Sequence, residues 1–371
     1  MKPQDHPNNG SLLDYIGLTL IPGVGEIRFR RFLEHFKTPS DLFSASVEEI
    51  ADVAQISFKQ ARIIKEGYNV KEAELFLEKL TEYKIGAITY EDYNYPESLK
   101  SIYNPPPILF YKGDISLTQG NSIAIVGSRK ATAYGRSMAE KISSELVRAG
   151  IIIVSGFARG IDSISHRSAL EHNGGTIAVM GCGLDIVYPP ENKNLFGEIV
   201  NRGCALSEFL PGVPPEGRNF PKRNRLISGL SLGVVIIEAG IKSGALLTAS
   251  HALEQGKDVF AVPGPANSAS SEGANFLIKS GAKLTTSADD ILEELKLQFK
   301  TPLFSQSEKR TMEGLNDTQK LIYEALGGEG LNIDKLALKV GLEIPALLNC
   351  LLEMELSGYV RSMPGKRYAR S

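Results

Sequence analysis

Hydrophobic positions along the chain change their period twice. Over residues 11–80 they recur at helical spacing, in Phe29, Phe32, Leu33 and Phe36 and again from Ala61 to Leu80. That spacing predicts amphipathic helices packed by one face. A connecting stretch follows, with Tyr93, Tyr95, Tyr103 and Tyr111 around the turn-forming Pro105-Pro106-Pro107. From residue 121 short apolar runs take over, at 123–126, 151–154, 176–180, 234–237 and 259–262. They are β-branched and bounded by Gly, Ser or Pro, as suits strands buried on both faces of a parallel sheet. Helix-length segments near 134–149, 162–172, 191–201 and 244–255 separate the runs. This β-α-β alternation predicts an α/β fold with a doubly wound, Rossmann-like parallel sheet.

The second change comes at residues 298–316, which are polar and aperiodic and read as a linker. Beyond it, Asp317 opens a helical run to Leu326, and two more follow near 332–340 and 344–356. Gly358-Tyr359-Val360-Arg361 and Lys366-Arg367-Tyr368 then flank Pro364-Gly365, a turn signal. Three helices ending in a hairpin describe a winged helix. No tandem repeat or low-complexity tract interrupts the pattern.

Composition narrows the chemistry. A chain of 371 residues is too long for one ordinary core, so two or three domains are expected. The formal net charge is -2, from 41 basic and 43 acidic side chains, so any contact with phosphates must come from a local patch. Cys182, Cys204 and Cys350 are far apart and form no CxxC pair, which argues against a disulfide framework and a cysteine zinc site. No His/Cys/Asp/Glu set has metal-ligand spacing. The polar start, Met1-Lys2-Pro3-Gln4-Asp5-His6-Pro7, lacks an apolar signal core, and no run reaches the roughly 18 apolar residues that span a bilayer. A cytoplasmic protein with reduced thiols and no membrane contact is the expectation.

In an open parallel sheet, ligands bind beyond the carboxyl ends of the strands. Here those ends are rich in Gly and Ser. The first run leads into Gly127-Ser128-Arg129, the second into Ser155-Gly156-Phe157-Ala158-Arg159-Gly160, the third into Gly181-Cys182-Gly183 and the fifth into Pro263-Gly264. Ser243-Gly244 opens the helix carrying Thr248. Glycine lets the backbone approach an anion closely, and helix N-termini aim unpaired N–H groups at it. Arg129 and Arg159 add charge-assisted contacts to phosphate oxygens. One such turn is often mere tight packing; several on one sheet edge predict an anion site.

Nucleotide motifs are absent. Gly181-Cys182-Gly183 lacks the third glycine of GxGxxG, and Gly240-Ile241-Lys242-Ser243 has the wrong spacing for GxxxxGK[ST]. Neither a dinucleotide cofactor nor an ATP-driven motor is expected, and no other cofactor is implied. The strongest electrostatic feature is Arg218-Asn219-Phe220-Pro221-Lys222-Arg223-Asn224-Arg225, four cations in eight residues just before a helical run at 226–230. Such a cluster attracts a phosphate backbone whatever the base sequence. Phe220 offers a stacking face for unpaired bases, or else anchors the loop to the core.

Two other classes compete. A hydrolase of nucleoside monophosphates on a related sheet would use Arg129, Glu238 and Thr248, with Glu238 leaving a strand end as a catalytic carboxylate would. Its PGGxGTxxE run is not reproduced by Ser243-Gly244-Ala245-Leu246-Leu247-Thr248, and a structural Glu238 would instead orient Arg223 or Arg225. A scaffold that binds only protein fits the near-zero charge but leaves residues 218–225 unexplained. His166 and His251, on predicted helices beside Asp162 and Thr248, read as satisfied structural groups. Asp162 reads as the cap of the helix after the Arg159-Gly160 turn.

Read together, these motifs resemble the DNA processing protein A (DprA/Smf) family. The match runs in order through Val126-Gly127-Ser128-Arg129, Ser155-Gly156-x-Ala158-Arg159-Gly160-Ile161-Asp162 with His166 and Ala169-Leu170, and Tyr188-Pro189-Pro190-x-Asn192. It continues through Ser207-Glu208, Phe220-Pro221-x-Arg223-Asn224-Arg225-Leu226-Ile227-Ser228-Gly229-Leu230-Ser231, Glu238-Ala239, Ser243-Gly244-Ala245-Leu246-Leu247-Thr248-Ala249 and Val262-Pro263-Gly264. Ser165 stands where the family more often has Ala. The resemblance implies an extended Rossmann-like domain that binds single-stranded DNA in a basic pocket, a homodimer, and loading of a RecA-type recombinase during natural transformation. It implies that Gly127, Ser128, Arg129, Ser155, Gly156 and Gly160 cradle phosphate, and that Phe220, Lys222, Arg223 and Arg225 line the strand's path.

The flanking segments fit the same picture. Leu20-Ile21-Pro22-Gly23-Val24-Gly25, followed by Arg28, Arg30 and Arg31, looks like a helix-hairpin-helix; its second half, near Val53-Ala54-Gln55-Ile56-Ser57, lacks the glycines. A structural SAM-like helical domain is the alternative there. Lys366, Arg367 and Arg370 are the DNA candidates of the winged helix, which serves equally well for protein docking. The expected division is a helical domain over 1–80, an extended Rossmann-like domain over 81–297, a linker over 298–316 and a winged helix over 317–371.

Overall fold

The helical period of residues 11–80 becomes six helices, α1 (Asn9–Leu20), α2 (Glu26–Phe36), α3 (Pro39–Ser44), α4 (Val47–Ala54), α5 (Phe58–Glu66) and α6 (Val70–Glu82). The structure, a computed structural model, describes residues 9–36, 38–295, 315–326, 331–356, 359–363 and 367–370. Thr38, Ser46, Ser57 and Asn69 start α3 to α6; each side chain accepts a first-turn N–H that would otherwise lack a partner. The apolar faces bury Tyr15, Phe29, Phe32, Leu42, Ile50 and Ile64. This core continues into the sheet through Ala87, Ile108 and Phe110. Two compact units result, Met1–Gln298 and Phe299–Ser371. The expected boundary at 80/81 falls inside the first unit, and residues 298–314 of the expected linker lie outside the described residues.

The first unit is built on a nine-stranded sheet: β1 (Gly86–Thr89), β2 (Ile108–Gly113), β3 (Ser122–Val126), β4 (Ile152–Ser155), β5 (Thr176–Val179), β6 (Cys204–Ser207), β7 (Gly233–Ile236), β8 (Asp258–Ala261) and β9 (Lys283–Leu284), in spatial order β1-β2-β6-β5-β4-β3-β7-β8-β9. From β6 to β9 neighbours are parallel; β1–β2 and β2–β6 are antiparallel. The five expected strands are present, each within a residue of its expected bounds. Strands β1, β2, β6 and β9 were not expected; β6 reads Cys-Ala-Leu-Ser and has no β-branched residue to signal it.

Helices α7 (Glu97–Lys100), α8 (Ala133–Arg148), α9 (Ile161–Glu171), α10 (Lys193–Arg202), α11 (Asn219–Leu230), α12 (Gly244–Glu254), α13 (Glu272–Lys279) and α14 (Ala288–Glu294) complete the unit. Side chains alternate across the strands. Ile177 and Val179 of β5 join the cluster containing Leu226 and Leu230 of α11, while Ala178 joins the one containing Phe157 and Phe196. Helix α11 starts seven residues earlier than the expected run at 226–230. Pro221 does not block it, because in the first turn its missing N–H has no helical partner to lose.

The second unit comprises α15 (Asp317–Ala325), β10 (Leu331–Asn332), α16 (Ile333–Val340), α17 (Ile344–Leu356), β11 (Val360–Met363) and β12 (Arg367–Arg370), with strand order β10-β12-β11. Three helices around Ile322, Leu336, Leu347 and Leu351 with a small antiparallel sheet make the expected winged helix. All three cysteines are unpaired. No helix of the described residues is long and apolar enough to cross a membrane.

Candidate nucleic-acid interface

Sheet order reverses at β3. The chain steps from β3 outward through β4, β5 and β6, then returns to add β7, β8 and β9 on the other side. Successive right-handed crossovers therefore leave β3 and β7 in opposite directions and open a crevice beyond their carboxyl ends. A cavity of about 560 Å³ lies there. Its lining draws Gly127 and Arg129 from the end of β3, Ala158 from the turn after β4, Asp162 from the start of α9, Tyr188 from beyond β5, and Ser243 and Gly244 from the start of α12. Phe220, Arg223 and Asn224 of α11 and Thr248 of α12 also line it.

The predicted residues divide by what they already bond. Arg129 is exposed and makes no ion pair among the described residues; its guanidinium carbon lies 5.6 Å from the Phe220 ring centroid. Phe220 is half-buried, with Tyr188 at 5.8 Å and the Arg223 guanidinium carbon at 5.9 Å, so cations already occupy ring surface that base stacking needs. Ser243 caps α12 by accepting from Ala245 N at 3.3 Å, and Gly244 beside it has open space where a Cβ would stand. Lys222 keeps a half-exposed side chain, with Nζ 3.7 Å from Glu208 and 5.3 Å from the Phe209 centroid.

Others are committed to the fold. Arg223 is 3% exposed, and its Nη1 donates to the carbonyls of Gly156, at 2.7 Å, and Val179. Burial lowers its guanidinium to about 10, against the raising influence of Asp162, so it stays cationic at neutral pH. It forms the cavity floor rather than an open strand path. Arg225 is also buried and donates to Glu208 at 2.6 Å. Ser155 is fully buried and its hydroxyl donates to Ile125 O at 2.6 Å. Gly156 gives its carbonyl to Arg223 and is not part of the cavity lining. Arg159 is exposed but forked onto Glu191, outside the lining. Ser128 N donates to Glu238 O at 2.6 Å. Gly160 adopts φ 75°, and a Cβ there would meet Ser128 O at 2.2 Å; it lets the β4 turn pack on the β3 turn.

Two secondary readings change. Asp162 does not cap α9: the N-cap position is Gly160, and Asp162 Oδ2 accepts from Ala158 N at 3.2 Å, ahead of the helix. Burial pushes its carboxyl above the usual range while Arg223 pulls it down. Glu238 orients neither Arg223 nor Arg225; its Oε2 accepts from Thr132 N at 3.0 Å and Thr132 Oγ1 at 3.2 Å, and it does not line the cavity, whereas Thr248 does. His166 is a buried structural group as expected, lowered by burial to about 3, with Nδ1 2.7 Å from Thr176 Oγ1. His251 lies 3.3 Å from Glu254. Tyr188 and Asn224 line the cavity although sequence reasoning gave them no role. Both stand inside the ordered motifs, which was the available signal.

Outside this crevice, the 21–25 turn joins α1 to α2 with Gly23 at φ 88°, as a hairpin requires. The second turn, between α4 and α5, places Gln55 in the left-handed conformation that glycine would otherwise supply. In the second unit Arg367 is exposed, Lys366 lies outside the described residues, and Arg370 stands in β12.

Comparison with known proteins follows the same two units. A family model described as DNA recombination-mediator protein A matches residues 86–296, and one described as the DprA winged helix domain matches residues 306–366. Protein Smf of Synechocystis is 34% identical, over 96% of this chain and 98% of that one. The X-ray structure of DNA processing protein A from Streptococcus pneumoniae superposes with a TM-score of 0.69 at 36% identity, covering 76% of this chain and 97% of that chain. The DNA processing protein A structure from Helicobacter pylori, described for its single-stranded DNA binding mode, gives 0.52 at 32% identity over 58% of this chain and 97% of that chain.

Proposed function

Because the chain belongs to the DNA processing protein A (DprA/Smf) family, we propose that it binds single-stranded DNA in the crevice beyond β3 and β7. The carrying observation is Arg129, an exposed guanidinium without an ion pair among the described residues, braced on Phe220 at a cavity of about 560 Å³. Such a group meets phosphate oxygens without first breaking an internal bond. Lys222, Ser243 and Gly244 extend the contact along the backbone, and Arg223 supplies positive potential from below. Of the predicted set, Gly127, Ser128, Ser155, Gly156 and Gly160 act by shaping the turns, and Arg159 and Arg225 by holding carboxylates.

Family resemblance supports the finer reading: the bound strand is protected and passed to a RecA-type recombinase during natural transformation, by a homodimer that uses no cofactor. A gel-shift series with labelled single and double strands tests the binding. Single strands are expected to bind more tightly, with log K falling linearly as log salt rises. Equal affinity for duplex, or no salt dependence, removes the proposal. Base release from a nucleoside monophosphate would move it to the hydrolase reading.

A further inference from the structure

The turn that presents Arg129 is held from behind by Glu238, which follows β7 and is 3% exposed. Its main-chain oxygen accepts from Ser128 N at 2.6 Å. Its side chain accepts from Thr132 N at 3.0 Å and Thr132 Oγ1 at 3.2 Å. Thr132 in turn accepts from Gly135 N at 3.1 Å and so closes the first turn of α8. A Cβ at position 135 would stand 2.0 Å from Glu238 Oε2, so glycine is what admits the carboxylate to this place. Arg129 sits between the two anchor points, Ser128 and Thr132.

A helix start behind a parallel strand ordinarily offers its N–H groups to an external anion. Here the turn's donors are taken internally: Ser128 N and Thr132 N by Glu238, Lys130 N by Ser128 Oγ at 3.1 Å and Gly135 N by Thr132 Oγ1. The turn after β3 therefore presents to the crevice the side chain of Arg129 rather than a cradle of amides. We propose that Glu238 is a positioning residue for Arg129, clamping residues 128–132 so that the guanidinium stays over Phe220. This inference rests on the reading that single-stranded DNA binds at this crevice. It also fixes a sign. A carboxylate that merely stood near the site would repel DNA, and its removal would tighten binding; a clamp, once removed, weakens it.

The test is a double-mutant cycle on the full chain with fluorescein-labelled oligo(dT), plus trypsin digestion of the folded protein without DNA. Glu238→Ala is expected to weaken binding roughly tenfold, as loss of charge-assisted hydrogen bonds does. Glu238→Gln keeps an oxygen on Thr132 and is expected to recover most of that loss. In an Arg129→Ala background, Glu238→Ala is expected to add less than about twofold, because coupled residues are not additive. Trypsin is expected to cut after Arg129 or Lys130 several-fold faster in Glu238→Ala than in the parent. Tighter binding by Glu238→Ala, full additivity with Arg129→Ala, or unchanged cleavage at 129–130 each overturns the clamp. If Arg129→Ala alone leaves DNA affinity intact, the crevice reading fails, and the cleavage rates still decide whether Glu238 holds the turn. Should Glu238→Ala not fold, Glu238→Asp, one methylene too short to reach Thr132, carries the same measurements.

Discussion

Between α1 and α2, the glycine turn at 21–25 leads into Arg28, Arg30 and Arg31; after β3, the glycine turn at 127–129 ends on Arg129. In sequence the two are alike: a glycine turn, a helix and arginines nearby. In the fold their cations are used differently. Arg28 donates to Gly23 O at 2.6 Å, Arg30 pairs with Glu34 at 3.2 Å and donates to Tyr103 O at 2.6 Å, and Arg31 reaches Ala54 O at 3.4 Å. All three are committed to holding helices and the connecting stretch together. Arg129 makes a ring contact and no ion pair among the described residues. A glycine turn with arginine is thus a candidate site only where the fold leaves the cation uncommitted.

Three sets of substitutions sharpen this contrast between committed and exposed cations. The largest effect is expected at Arg223, the most deeply committed. Arg223→Ala leaves Asp162 buried without its counter-charge and removes donors from Gly156 O and Val179 O. A loss of about 3 kcal/mol or more in thermal or urea unfolding is expected; a variant as stable as the parent would show that the buried network contributes nothing. Next come Arg129→Glu and Lys222→Glu, expected to weaken strand binding at least tenfold, about 1.4 kcal/mol or more, with unfolding barely changed for Arg129→Glu and lowered for Lys222→Glu, which sets a carboxylate beside Glu208. Unchanged affinity in a folded variant would place the strand elsewhere. The smallest effect is expected for Arg28→Ala combined with Arg31→Ala. DNA affinity should move less than about twofold, and stability by no more than about 1 kcal/mol, since exposed contacts contribute little. A tenfold loss of binding there would restore the hairpin as a DNA contact.

Legibility followed the range of the interaction. The five runs at 123–126, 151–154, 176–180, 234–237 and 259–262 were readable because a buried parallel strand needs only consecutive apolar residues. The helices of the winged unit were readable from period alone. Strand β6 was not, because Cys204-Ala205-Leu206-Ser207 gains its place from pairing with β5 and β2, not from its own preference. Among the predicted site residues, Gly127, Arg129, Phe220, Arg223, Ser243 and Gly244 meet at the cavity. Ser155, Arg225 and Arg159 carry the same donor chemistry but spend it elsewhere.

The sequence by itself determined the alternation of strand and helix, the glycine-rich turns at the strand ends, the winged unit and the family motifs, since each is written in neighbouring residues or in their order. Only the tertiary structure decided which cations face the crevice. The partners of Arg223 lie 67 and 44 residues away, at Gly156 and Val179, that of Arg225 17 away, and that of Arg159 32 away. Whether a cation meets solvent or an internal carbonyl depends on distances of a few ångströms between such remote positions, and those distances exist only once the sheet has assembled.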